Sequence, residues 1–433
     1  MSRAFFEARC GKLHSRFPWP GLVDQKKQNT SYSVYKKGSA TLVSTPTMAS
    51  MKNNRSATKI SNDVPFSSEQ IHAFRLRRHH LLDQSAKDLV TICRDVCGVQ
   101  AQIMSAAQLQ LWARNHAITP ATVNDALWKT RSLVKTSLMR QTLHLVPADE
   151  FPLYIAAHKS ARAKAVLSIM ARCKITRNEA DALSALILEE LKAGPAPRAA
   201  ITAAVRPKVS NRLRVWMDKV WSIVRLPVIE GLVCYGPGEG NQATFIRTEH
   251  WLPAQSRVDE AKIDAVQAQK ELFRKYLRAY GPATLHDFAH WSLISMAEVR
   301  ALRPLLDSEI TEHNGLLLLR EDMKTLQSAS PELDSVHLLP YFDVYLLAHR
   351  FKEHFLKPQF YKRVYRNQGW ISPVVLINGE IAGVWSYKAS RKSVQVEIEL
   401  FARVGAGTRR RIKDRAAELA NLLQSPLVFS FKG

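Results

Sequence analysis

At Ser132 the spacing of apolar residues changes, and that change constrains the fold of this chain more than any other feature. Four helix-patterned segments precede it. "SSEQIHAFRLRRHHLL" can be capped by Ser67 or Ser68, "AKDLVTICRDVCG" follows Ser85, and "GVQAQIMSAAQLQLWAR" runs from Gly98 to Arg114. In "TPATVNDALWKT", Thr119 is an N-cap and Pro120 the first helical residue, a position where the missing N–H has no intrahelical partner to lose. "SLVKTSLMRQTLHLVP" then mixes β-branched and apolar residues in near alternation, which predicts two short strands. Helices closed by a β-ribbon are the element order of a winged helix, a relative of the helix-turn-helix whose hairpin also touches DNA.

The order recurs. Residues 158–256 hold a capping box (Thr176, Glu179), two further helical segments and the strand-like "GLVCYGPGEGNQATFIRTEHW". Residues 257–330 hold a long helix ending "YLRAYGP", a short one capped by Thr284, another from Ser295, and a strand around "GLLLLRE". From Val336 the pattern is mostly β, with "NGE" as a hairpin turn and one last helix, "TRRRIKDRAAELANLLQ". The expected fold class is therefore α+β. Tandem winged-helix units over 62–157, 158–256 and 257–330 lead into a β-barrel-like C-terminal domain over 331–433, a small barrel or a curved sheet carrying one helix. Residues 1–61 read as a leader, disordered or organelle-targeting, with Met48 and Met51 as alternative starts.

Charge indicates the partner. Against 38 acidic residues stand 62 Lys and Arg, a net +24, of which the first 60 residues carry +9 and the remainder +15. The surplus thus belongs to the body, and a surplus of that size suits a polyanion such as double-stranded DNA, whose phosphates release counterions on contact. Five cysteines without a C-x-x-C spacing indicate reduced thiols and neither a disulfide framework nor a metal site. No apolar run reaches the roughly 18 residues of a membrane span, so a soluble protein is expected, and a monomer. In a bacterium it would lie in the cytoplasm with the nucleoid, in a eukaryote in the nucleus or a mitochondrion.

Gln100 and Gln102 stand where a helix would ordinarily place caps and carboxylates. By themselves they read as caps or as bonds to a neighbouring loop. Arg140 flanks the ribbon turn and is a candidate phosphate contact, with Thr142 and His144 on the strand after it as packed or DNA-contacting residues. Arg75, Arg77 and Arg78 form a basic stretch that reaches phosphate or is a solvated helix face. Arg409, Arg410 and Arg411 open a helix, where positive charge opposes the macrodipole and calls for a partner. Asp343 and Arg350 fit a structural ion pair at a domain junction, and Arg350 is also a DNA-contact candidate. Trp112, Trp128 and Trp291 read as core.

"GVQAQ" (Gly98–Gln102), "LMRQTLHLVPADEF" (Leu138–Phe151), "YGPATLHDFAHW" (Tyr280–Trp291) and "LLPYFDVYLLAHR" (Leu338–Arg350), in that order, resemble the AlkZ and YcaQ type of DNA glycosylase. That resemblance implies tandem winged helices, a C-terminal β-domain, and a catalytic Q-x-Q element, here Gln100 and Gln102. Gln141 stands where the family commonly has Gly, and Ile103 and Met104 where an acidic residue and proline are common. Glycoside hydrolysis ordinarily takes two carboxyl groups, and an amide can neither protonate a leaving group nor act as a general base. An N7-alkylated purine removes the first need, because its ring is already cationic and departs neutral. What is left is to hold a water beneath C1′, which two amides in an extended segment can do. No cofactor, metal or Schiff-base lysine is implied. The rival reading is a non-catalytic winged-helix DNA-binding protein, a regulator or chromatin component; an RNA-binding module fits less well, for lack of an aromatic RNP-like strand.

Overall fold

The computed structural model describes residues 66–82, 87–218, 222–239, 242–258, 262–390 and 392–432, so the expected leader and Ser85 lie outside the described residues. The architecture is mixed α and β. Helix α1 (Ser68–Arg78) opens at Ser67, whose hydroxyl accepts from the Gln70 N–H while Gln70 reaches back to the cap. Asp88 caps α2 (Leu89–Asp95). The glutamine segment differs from the single helix its composition suggests. Val99–Gln100 form strand β1, and α3 (Met104–Trp112) begins only at Met104. Pairing explains the difference: Val99 lies opposite Leu145 and Gln100 opposite His144, so a distant strand, not a helical turn, satisfies this backbone. Helix α4 (Pro120–Trp128) has Thr119 as its cap, as expected. Strands β2 (Leu133–Ser137) and β3 (Leu143–Pro147) form the ribbon, in a sheet of order β1-β3-β2.

Two more groups of helices end in a ribbon. After α5 (Phe151–Arg172) come α6 (Arg177–Glu190), β4 (Ala196–Pro197), α7 (Arg198–Val205), α8 (Asn211–Met217), α9 (Arg225–Ile229), β5 (Val233–Glu239) and β6 (Gln242–Arg247). Then follow α10 (Ala265–Tyr280), α11 (Leu285–Ser292), α12 (Met296–Leu302), β7 (Ile310–His313) and β8 (Leu316–Leu319). In all three groups a short upstream segment pairs with the second ribbon strand: β1 with β3, β4 with β6, and the single residue Ala283 with Leu317 of β8.

The C-terminal sheet comprises β9 (Val336–Leu339), β10 (Val374–Ile377), β11 (Glu380–Ala389), β12 (Val394–Leu400) and β13 (Leu427–Phe431), in the order β13-β12-β11-β10-β9. It corrects the barrel-like expectation in favour of its alternative, an open sheet carrying one helix. β9 and β13 are opposite edges, and α13 (Ala406–Leu422) crosses over to make β13 parallel to β12. Ile412, Ala416 and Leu419 of α13 bury against Val336, Val375 and Trp385, so a helix covers this sheet where closure would otherwise have to. The Asn378-Gly379 turn has φ of 51° and 86°, the left-handed pair that a two-residue hairpin requires.

The core joining the groups runs between α5 and α10, where Phe151, Tyr154, Phe273, Tyr276, Tyr280 and Trp291 pack together with Val134 and Val146 of the ribbon. Trp112 is buried as expected, and Trp128 partly so. Cys93, Cys97, Cys173 and Cys234 are buried free thiols. Asp343 does have an arginine partner, but it is Arg114: the two meet through a fully buried bidentate pair of 2.8 and 2.9 Å. Arg350 instead donates its backbone N–H to Asp287 Oδ1 at 2.6 Å. Among the described residues no helix is long and apolar enough to cross a membrane.

Candidate functional site

Extended backbone gives Q-x-Q its meaning. Successive side chains of a strand alternate between faces, so Gln100 leaves one side of β1 and Ala101 the other, while Gln102 sits in the bend that follows and meets the Leu143 N–H. Ala101 is fully buried beside Val99, Ala107 and Leu145. On the glutamine side the ribbon contributes His144, directly opposite Gln100, and Thr136, directly opposite His144. Three polar side chains therefore cross the sheet in one row, all of them buried.

Gln100 is 4% exposed, deeper than a surface motif would be, and it is held at both ends. Its carbonyl accepts from Gln110 Nε2 at 3.1 Å. The Gln110 carbonyl accepts in turn from Arg114 Nη1 at 2.8 Å, and Arg114 ends on Asp343. The Gln100 side-chain oxygen accepts from Arg140 Nη2 at 3.1 Å, while Arg140 Nη1 reaches the Trp291 carbonyl at 3.4 Å. Gln102, half-buried, accepts at Oε1 from the Leu143 N–H at 3.4 Å. A guanidinium and a backbone N–H can only donate, so both amides are fixed with their oxygens engaged and their NH2 groups available.

Cations gather here. Arg140 is pushed down to about 10 by burial, and Arg162 to about 9 by burial and the nearby Arg225. Arg162 donates to the Ser137 carbonyl at 2.7 Å and to the Ser137 hydroxyl at 2.8 Å. Lys352 is buried, with Nζ on the Leu346 carbonyl at 3.0 Å and on the His349 carbonyl. Burial first, then Arg140, lowers it to about 7, with Asp287 opposing. Burial and then Lys352, Arg140 and Arg350 lower His290. Buried positive charge of this density favours an anion alongside it.

The ribbon turn is strained in a specific way. Arg140 and Gln141 have φ of 52° and 59°, the left-handed region where glycine is at home. Gln141 stands at the position where the resembling family commonly has Gly, and its side-chain oxygen accepts from Arg225 of α9.

Of the candidates read from sequence, the structure brings together Gln100, Gln102, Arg140, Thr142 and His144. Thr142 Oγ1 donates to the Met139 carbonyl at 3.1 Å. His144 is 1% exposed, a packed residue of the site's floor with no surface to offer a phosphate. Arg350 is exposed nearby, its guanidinium 5.4 Å from the Phe351 ring centre. Arg75 is buried and donates to the Pro282 carbonyl at 2.5 Å, which removes it from the phosphate contacts. Arg78 pairs with Asp322, and Arg77 is exposed. Arg409 lies over the Phe431 ring at 4.6 Å, Arg411 pairs with Asp334, and Arg410 is exposed, all on α13 beyond the row. Sequence reading missed Gln110, Arg114, Arg162 and Lys352. The i, i+4 spacing of Gln110 and Arg114 on one helix face was the available signal for the first two; Lys352 had none.

A family model described as DNA glycosylase AlkZ-like matches residues 93–422. A Streptomyces sahachiroi protein described as an interstrand DNA cross-link repair glycosylase is 30% identical over 328 residues, covering 73% of this chain and 86% of that protein. The solved structure of Streptomyces sahachiroi DNA glycosylase AlkZ superposes with a TM-score of 0.71 at 26% identity, covering 84% of this chain and 99% of that one.

Proposed function

The chain belongs to the AlkZ-like DNA glycosylases, and on that premise we propose that Gln100 and Gln102 hold the water that hydrolyses the N-glycosidic bond of cationic N7-alkylated purines in duplex DNA. The observation that carries this reading is the fixed orientation of the two amides beside Arg140. Their N–H groups grip the oxygen of a water, and the purine's own positive charge makes departure easy without a general acid. The Streptomyces relative is described as a cross-link repair glycosylase, which extends the proposal to purines tied across two strands. A base so tied cannot swing out of the helix in the usual manner.

The three helix-and-ribbon groups are read as winged helices over 62–157, 158–256 and 257–330, followed by the C-terminal domain from 331. Their recurring short-strand pairing supports this, and the net +24 suits a grip on phosphates by a monomer. Arg140, Arg350, Arg77 and the Arg409–Arg411 run are the proposed phosphate contacts. The reading places the protein with DNA, in the nucleoid of a bacterium or the nucleus or mitochondrion of a eukaryote. Release of 7-methylguanine from alkylated duplex is the test. Gln100→Ala and Gln102→Ala should each slow it roughly 10- to 1000-fold while duplex affinity holds. Release by both variants at the parent's rate would leave only a DNA-binding protein.

A further inference from the structure

Amides whose oxygens are engaged steady a water but do not take its proton, so the site needs a separate acceptor. We infer that His144 is that acceptor, receiving through Nε2 the proton of the water that attacks C1′. The inference rests on the reading of Gln100 and Gln102 as the groups that hold this water.

Position comes first. His144 is the cross-strand partner of Gln100 in register, so both side chains leave the same face with Cβ atoms about 5 Å apart. Its Nδ1 lies 3.0 Å from the Thr142 carbonyl, which can only accept. Nδ1 therefore carries the hydrogen, and Nε2 carries the lone pair. Next along the row is Thr136, whose buried hydroxyl has no hydrogen-bond partner among the described residues. A buried hydroxyl left without a partner is costly, and this one stands next to His144 in the same row.

Electrostatics agree. Burial holds the imidazole well below its usual value, and the charged or titratable groups facing it are all basic: Arg140 on its own ribbon, His158 and Arg162 on α5. His144 is thus neutral at pH 7. A weak base suffices, because water that has added to an oxocarbenium ion is a strong acid. The step balances: the C1′–N9 pair leaves with the base and cancels its ring charge, water oxygen bonds C1′, and the released proton goes to Nε2. Solvent takes it when the product leaves.

The test is single-turnover release of 7-methylguanine from a duplex, counted per molecule able to bind the same duplex carrying a tetrahydrofuran abasic analogue. His144→Gln should release base about 100- to 1000-fold more slowly than the parent. His144→Glu, of the same shape but able to accept a proton, should exceed His144→Gln at least tenfold, a contrast that a packing role would not produce. Should the Gln variant fail to bind, His144→Asn, which keeps a donor toward Thr142, takes its place. Equal rates for the Glu and amide variants, or an amide variant within threefold of the parent, overturn the inference. Gln102→Ala in the same assay separates the two readings: a slow Gln102→Ala beside a fast His144→Gln removes His144 alone.

Discussion

Arg140 joins strand β1 to the end of α11, donating 3.1 Å to Gln100 Oε1 and 3.4 Å to the Trp291 carbonyl. One planar guanidinium thus sets which way the Gln100 amide faces. A lysine carries a single ammonium on a flexible stem and cannot hold that geometry. Arg140→Lys is expected to slow single-turnover base release about 10- to 100-fold with little change in melting temperature. A rate equal to the parent's would mean that amide orientation is not used.

The Arg114–Asp343 pair is fully buried, so removing one partner strands a charge in the interior. Asp343→Asn should cost about 3–5 kcal/mol in urea unfolding. A cost under about 1 kcal/mol would show that solvent reaches the pair.

Acid should loosen the fold. Burial holds His79, His349 and His354 well below the ordinary imidazole value of 6.5, His158 near 4 and His337 near 3. In the unfolded chain each regains about 6.5, so below that pH the unfolded state binds more protons and stability rises with pH. The contribution is complete above about 6.5 and is lost as pH falls through the folded values. Melting temperature should therefore drop steadily from pH 6.5 to 4, where a level trace would contradict the burial. His337→Leu should reduce that slope, since the His337 Nε2 has no partner to lose.

Arg77 is exposed on α1 and is one of the proposed phosphate contacts. Arg77→Ala should weaken duplex binding and reduce the slope of log affinity against log salt by about 1. An unchanged slope would place the phosphates elsewhere.

Local chemistry was readable in the sequence. Thr119 with Pro120, the Thr176–Glu179 box and the Asn378-Gly379 turn each act within a few residues, and each sits where its chemistry predicts. What escaped depends on residues far apart. Gln100 is strand and not helix because of His144, 44 positions later, and Asp343 chooses Arg114 over the nearer Arg350 because folding brings α3 beneath it. Likewise Arg75 looks like part of a solvated basic run until Pro282 is packed over it. The choice between a barrel and an open C-terminal sheet stayed undecided for the same reason: strand patterns mark faces, and edge partners are chosen by the crossover of α13.

The succession Asp343, Arg114, Gln110, Gln100 means that the residue proposed to hold the water is braced from the far half of the polypeptide. A shortened version ending after the third ribbon would forfeit that brace and leave a guanidinium stranded under α3. Anyone seeking a smaller repair tool from this scaffold must therefore keep the last hundred or so residues, or supply a substitute carboxylate in the same spot.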